Sequence, residues 1–154
     1  MHVIDKPFAD LTTAELYAIL RLRVDVFVVE QACPYAELDG RDVEPATRHL
    51  WVPARQPVTD VLRQTGGVSA YLRVLRDPEG VRIGRVVTHP VARGGGLGRM
   101  LFQVAVDANS SERIDIDAQT YLSDWYESFG FHVAGDEFLD AGIPHIAMTR
   151  MPTN

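Results

Sequence analysis

Apolar residues recur along this chain in two rhythms, and the changes of rhythm mark its elements. Leu16, Ile19, Leu20, Val24 and Phe27 share one face of a helix that the pattern carries to about residue 29. Thr12-Thr13-Ala14-Glu15 ahead of them has the form of a capping box. Leu97, Met100, Leu101, Val104, Ala105 and Ala108 repeat the helical spacing. Shorter β-forming or alternating stretches at 47–52, 68–75 and 114–118 predict strands. Asp77-Pro78-Glu79-Gly80 is a turn, so the 68–75 strand pairs antiparallel with one ending at Thr88. Leu122 to Phe129 predicts a short helix ended by Gly130. Phe131 to Val133, Phe138-Leu139 and Ile146 to Thr149 predict a closing antiparallel pair with a turn at 140–142. Residues 53–66, with Pro53, Pro57 and Gly66, read mainly as a connection.

This order implies an α/β fold with three layers, α/β/α, around a mixed central sheet of about six or seven strands. A right-handed crossover makes the strand ending at Thr88 parallel to 114–118. The two strands diverge at their C-terminal ends, where ligands enter open sheets. With no repeat or linker in sight, residues 1–154 are read as one domain.

Composition narrows the function. The net charge of −6 argues against a nucleic-acid partner and is compatible with a cationic amine. No apolar run is long enough to span a bilayer, and the first residues lack the form of a signal peptide. The single cysteine, Cys33, fits a reducing cytosol, so a cytoplasmic protein with no membrane partner is expected.

The stretch from Arg85 to Arg99 carries the chemistry. Pro90 stops a strand, and Gly94, Gly95, Gly96 and Gly98 then lead into a helix from Leu97. A helix that starts in a glycine loop offers unpaired N–H groups at its positive end, a ready anion site. Flanking Arg93 and Arg99 make a diphosphate the natural guest. The spacing is neither a Walker loop nor a dinucleotide fingerprint, since no Gly-Lys-Ser/Thr closes it and G-x-G-x-x-G is absent. Arg93, Gly96 and Gly98 instead resemble Arg-x-x-Gly-x-Gly, the pyrophosphate loop of the GNAT superfamily of acyl-CoA-dependent N-acyltransferases. The segment from Gln119 through Tyr126 to Gly130-Phe131 looks like a second GNAT motif, with Gln119 where the family usually has asparagine. Longer runs resemble the ElaA-like branch: Leu22-Arg23, Val26 to Gln31, Cys33-Pro34-Tyr35, Asp39-Gly40, Thr47-x-His49, Ile83 to Val86, Tyr126 to Phe131 and Gly142 to Ile146.

The resemblance implies a GNAT-fold N-acetyltransferase, its sheet splayed at the acyl-CoA site, that uses acetyl-CoA as co-substrate, needs no metal and transfers directly in a ternary complex. Val86, Val87 and Thr88 would pair with the pantetheine arm, the segment Arg93 to Arg99 would hold the pyrophosphate, and Gln119 would stand beside the CoA arm. Tyr126 would protonate the leaving thiolate. The base is open among Glu30, His49 and His145. Asp115 and Asp117 are either exposed or bind a cationic amine, while Glu37, Asp39, Asp42 and Glu44 read as a solvated acidic loop. Cys33 as an acyl-carrying nucleophile is disfavoured by the implied direct transfer. The acceptor, a small molecule or a protein amine, is not named by the sequence, and oligomeric state, a homodimer included, stays open. The alternative function is a non-catalytic acyl-CoA-binding regulator with the same fold.

Overall fold

Thr12 opens the first helix as its sequence requires. Its Oγ1 accepts from the Glu15 N–H at 3.0 Å, and the Glu15 carboxylate accepts from the Thr12 N–H at 2.9 Å. Helix α1 (Thr13–Arg23) then continues into π-helical turns over Val24–Glu30. The buried stripe runs along Ala18, Ile19, Leu22, Arg23 and Val26, one position off the predicted face, so Leu16, Leu20, Val24 and Phe27 are only partly buried. The computed structural model describes residues 2–33, 35–54 and 66–153. Most of the connection predicted at 53–66 therefore lies outside the described residues, as does Pro34.

Seven strands form one mixed sheet in the order β1-β2-β3-β4-β5-β7-β6. They are β1 (Ile4–Pro7), β2 (Arg48–Pro53), β3 (Val68–Asp77), β4 (Gly80–Thr88), β5 (Ile114–Gln119), β6 (His132–Asp140) and β7 (Ile143–Arg150). The edge strand β1 lies outside the predicted strands, because four residues with Asp5 and Lys6 among them carry too little pattern. Between β4 and β5 runs helix α2 (Leu97–Ala108), whose extent matches the prediction. Its buried face is rotated, however: Leu101, Phe102, Ala105 and Val106 are enclosed, while Val104 and Ala108 are exposed. Helix α3 (Ser123–Glu127) follows β5 and is shorter than predicted, its first turn being a 3-10 turn over Thr120–Leu122.

The alternation of β2 and β3 builds the three layers. Leu50, Val52, Ala70, Leu72 and Val74 pack with α2 on one face, and Trp51 and Tyr71 pack with α1 on the other. β4 and β5 are parallel and paired only at Val81–Ile114 and Arg82–Asp115. Beyond those pairs they part, and the sheet stays open.

Beside the parting lies a β-bulge. The β3–β4 register slips between the pairs Tyr71–Val87 and Arg73–Gly84, and Arg85 takes a left-handed φ of +54°. For a residue with a Cβ this conformation costs on the order of 1–2 kcal/mol, so surrounding contacts must hold it. Among the described residues no helix is long and apolar enough to cross a membrane.

Candidate active site

Where β4 and β5 part, a cleft of about 600 Å³ opens. Ile83, Ile116, Phe102 and Tyr126 line it from the α2 face, and Arg82, Gly84, Asp117 and Gln119 from the α1 face. The gap therefore reaches both sides of the sheet, and two reactants could meet within it from opposite faces.

At the end of β4 the chain turns through Pro90–Ala92, with His89 Nδ1 accepting from the Val91 N–H at 3.2 Å. Gly96 caps α2 at φ +80°, a conformation glycine adopts without steric cost. Gly98 has a different reason: a Cβ there would lie 3.2 Å from Thr88 Oγ1. Among the described residues no side chain caps α2, and its first turn holds no acid, so its first N–H groups keep their positive end free of them. Gly94, Gly95 and Gly96 leave open space beside it. These features fit a diphosphate.

The flanking arginines are engaged differently. Arg99 lies over the Phe129 ring at 4.7 Å and donates to Ser128 Oγ at 3.2 Å. Arg93 makes a two-pronged pair with Glu30, Nη1–Oε1 at 2.7 Å and Nη2–Oε2 at 3.1 Å, while its Nε donates to the Thr88 carbonyl at 3.2 Å. That hydrogen-bonded pair holds the Glu30 carboxyl below the usual carboxylate range. Glu30 thus stands at the glycine loop and does not line the cleft.

Of β4's last residues, Val86 lines the cleft, Val87 is buried against α1, and the Thr88 hydroxyl lies close beside Gly98. Tyr126 packs edge-on against Phe102, ring centroids 5.3 Å apart, in a cluster with Trp125, Phe129 and Phe131. Its hydroxyl makes no hydrogen bond to the described residues and is not sealed from the cleft. Burial pushes its phenol up to about 12, so it stays protonated.

The two histidines part company. His49 is buried, with Nε2 3.0 Å from the Asp42 carbonyl and Nδ1 2.7 Å from the Tyr71 hydroxyl. A carbonyl only accepts, so Nε2 carries the proton and Nδ1 accepts from tyrosine. Both nitrogens are used, burial pulls the pKa down, and the ring is away from the cleft. His145 lines the cleft beside Gln119, its partner across β5 and β7. Its Nδ1 donates to the Ile143 carbonyl at 2.7 Å, which leaves Nε2 as an acceptor.

The acidic loop is not solvated as predicted. Arg23, with no exposed surface, reaches Asp42 Oδ1 at 2.6 Å and Glu37 Oε2 at 2.8 Å. Arg73 binds Asp39 and Asp42, and Arg85 binds Glu37 Oε2 at 2.7 Å. The hydrogen bond from Arg73 holds the Asp39 carboxyl far below its usual range. Burial pushes Asp42 up, but the two guanidiniums outweigh it and keep it ionised. The one signal in the sequence was an arginine, Arg23, on the apolar stripe of α1. Asp115 accepts from the Thr149 hydroxyl at 2.6 Å, and Asp117 faces Arg82 at 3.2 Å. Cys33 lines the cleft with its thiol 3.8 Å from the Gln31 carbonyl oxygen.

Known proteins are similar to this chain in sequence and fold. Residues 59–151 match the family model for the acetyltransferase (GNAT) domain. A UPF0039 protein of Mycobacterium tuberculosis is 45% identical over 145 residues, covering 92% of this chain and 87% of that one. Protein ElaA of Escherichia coli is 35% identical, covering 95% and 94%. The crystal structure of an acyl-CoA N-acyltransferase from Pseudomonas aeruginosa superposes with a TM-score of 0.86 at 41% identity, covering 97% of this chain and 98% of that one. Escherichia coli ElaA superposes with the same TM-score at 32% identity, covering 97% and 99%. The family implies acyl transfer from acyl-CoA, and the chain belongs to the GNAT acetyltransferases, in their ElaA-like branch.

Proposed function

We propose that this chain transfers an acetyl group from acetyl-CoA to a primary amine by direct attack within a ternary complex. The observation that carries this reading is the cleft through the sheet, with a free tyrosine hydroxyl on one face and a free imidazole nitrogen on the other. The N-terminal amides of α2 receive the diphosphate, and the backbone of Val86 to Thr88 pairs with the pantetheine arm as an added strand would. Gln119, at the cleft, supports that arm.

His145 Nε2 takes the proton from the attacking amine, and the new C–N bond forms at the thioester carbonyl. As the C–S bond breaks, the Tyr126 hydroxyl gives its proton to the departing sulfur. Glu30 and His49 are assigned other work. The first is tied to Arg93, and both ring nitrogens of the second are engaged inside the fold. Cys33 carries no acyl group in this scheme. In this reading the chain acts as one GNAT domain, in the cytosol.

The test is thiol release from acetyl-CoA across a panel of amines, with acetyl-CoA binding measured in parallel. Release with at least one amine is the expected result. Binding with no release under any acceptor would instead support an acyl-CoA-binding regulator.

A further inference from the structure

Arg85 occupies a left-handed conformation inside a strand, one that glycine adopts freely and arginine does not. The bulge it makes follows the last β4–β5 pair, Arg82–Asp115. It therefore sets the direction in which Val86, Val87 and Thr88 leave β5.

The grip on Arg85 comes from Glu37, in the loop that follows the π-helical turns. Arg85 Nε donates to Glu37 Oε2 at 2.7 Å and Nη2 to the Glu37 carbonyl at 3.1 Å. Arg23 of α1 uses the same two acceptors at 2.8 and 3.1 Å. Glu37 is thus anchored from a buried side chain and cannot follow Arg85 if the bulge relaxes. Asp39, fixed by Arg73, lies 3.5 Å from the Arg85 guanidinium. With Asp42 the cluster holds three guanidiniums and three carboxylates, so it carries no net charge for a ligand to neutralise.

We propose that Glu37 is a positioning residue for acyl transfer: it clamps the Arg85 bulge and thereby fixes the edge of β4 along the cleft. Only the link to turnover rests on the acyl-transfer reading, because the clamp belongs to the free chain.

Amide hydrogen exchange of the full chain without ligand, and calorimetry with acetyl-CoA, test this in four proteins: wild type, Glu37→Gln, Arg85→Gly and the double variant. Removing the charge from the carboxylate that Arg85 and Arg23 share is expected to speed exchange at Val86 to Thr88 about tenfold and weaken acetyl-CoA binding by about the same factor. Exchange at Leu101 to Val106 in α2 reports the rest of the fold and is expected to stay unchanged. Adding Arg85→Gly to Glu37→Gln is expected to restore both readouts to within about threefold of Arg85→Gly alone, since glycine keeps the conformation unaided. Unchanged exchange at Val86 to Thr88 in Glu37→Gln overturns the proposal, as does a double variant no better than the single one. A wild-type chain that binds no acetyl-CoA removes the acyl-transfer reading, while the exchange data still decide the clamp.

Discussion

Glu30 and Arg93 meet at the glycine loop in a two-pronged ion pair, at 2.7 and 3.1 Å, 63 residues apart in sequence. The pair joins the end of the π-helical turns to the arginine that flanks the anion site. On the proposed reading, a diphosphate arriving at α2 would compete with the Glu30 carboxylate for that guanidinium.

Glu30→Gln is therefore expected to strengthen CoA binding, not to stop turnover. Both side chains are over two-fifths exposed, so the gain is small, on the order of a few-fold. Calorimetry at low and at high salt checks it, because screening shrinks the contribution of an exposed pair. Weaker CoA binding in the variant at every salt concentration rules out the competition.

Tyr126→Phe keeps the ring among Phe102, Trp125 and Phe129 and removes the hydroxyl proton. Turnover is expected to fall about 10²–10⁴-fold where chemistry limits the rate, with acetyl-CoA affinity and melting temperature little changed. Acyl donors with a more acidic leaving thiol should lose less. Full rate with acetyl-CoA under those conditions would return Tyr126 to a packing role.

His145→Asn tests the amine side. The asparagine retains a short polar side chain but no nitrogen base. Turnover with amine acceptors should drop by more than about tenfold, or ~1.4 kcal/mol of transition-state stabilisation, with CoA binding intact. Steady-state kinetics alongside calorimetry separate the two, and a wild-type rate would place the base elsewhere.

His49 gives a stability prediction with a definite sign. Burial lowers its pKa in the folded chain below the unfolded value of about 6.5. Between those two values the unfolded chain binds more protons, so stability rises with pH up to about 6.5 and is lost below it. The slope from one such group is at most about 1.4 kcal/mol per pH unit. Melting scans from pH 5 to 7.5 should show this fall, and His49→Gln should flatten it while lowering stability overall. His89, also buried and shifted downward, leaves a residual slope of the same sign. A wild-type melting temperature flat across that range contradicts the assignment.

Elements whose causes are local are legible in the chain alone. The capping box at Thr12 and Glu15, the turn at Asp77 to Gly80, and the run from Pro90 through Gly98 into α2 all act within a few residues. The antiparallel β3–β4 pair and the parallel crossover to β5 followed from those signals and general handedness. So did the presence of an anion-ready helix start, whereas Tyr126 stood out only through the resemblance of its segment to a GNAT motif.

Whatever depends on distant partners is set by folding. It inserted β7 between β5 and β6, which brought His145 beside Gln119. Glu30 went to Arg93, and His49 went to Tyr71 and the Asp42 carbonyl, each pairing set by long-range packing that no local spacing encodes. The acids of residues 37–42 looked like a solvated loop because their composition is polar. They became the counterions of Arg23, Arg73 and Arg85 because a buried guanidinium must be paired, and only the folded chain brings those arginines to them.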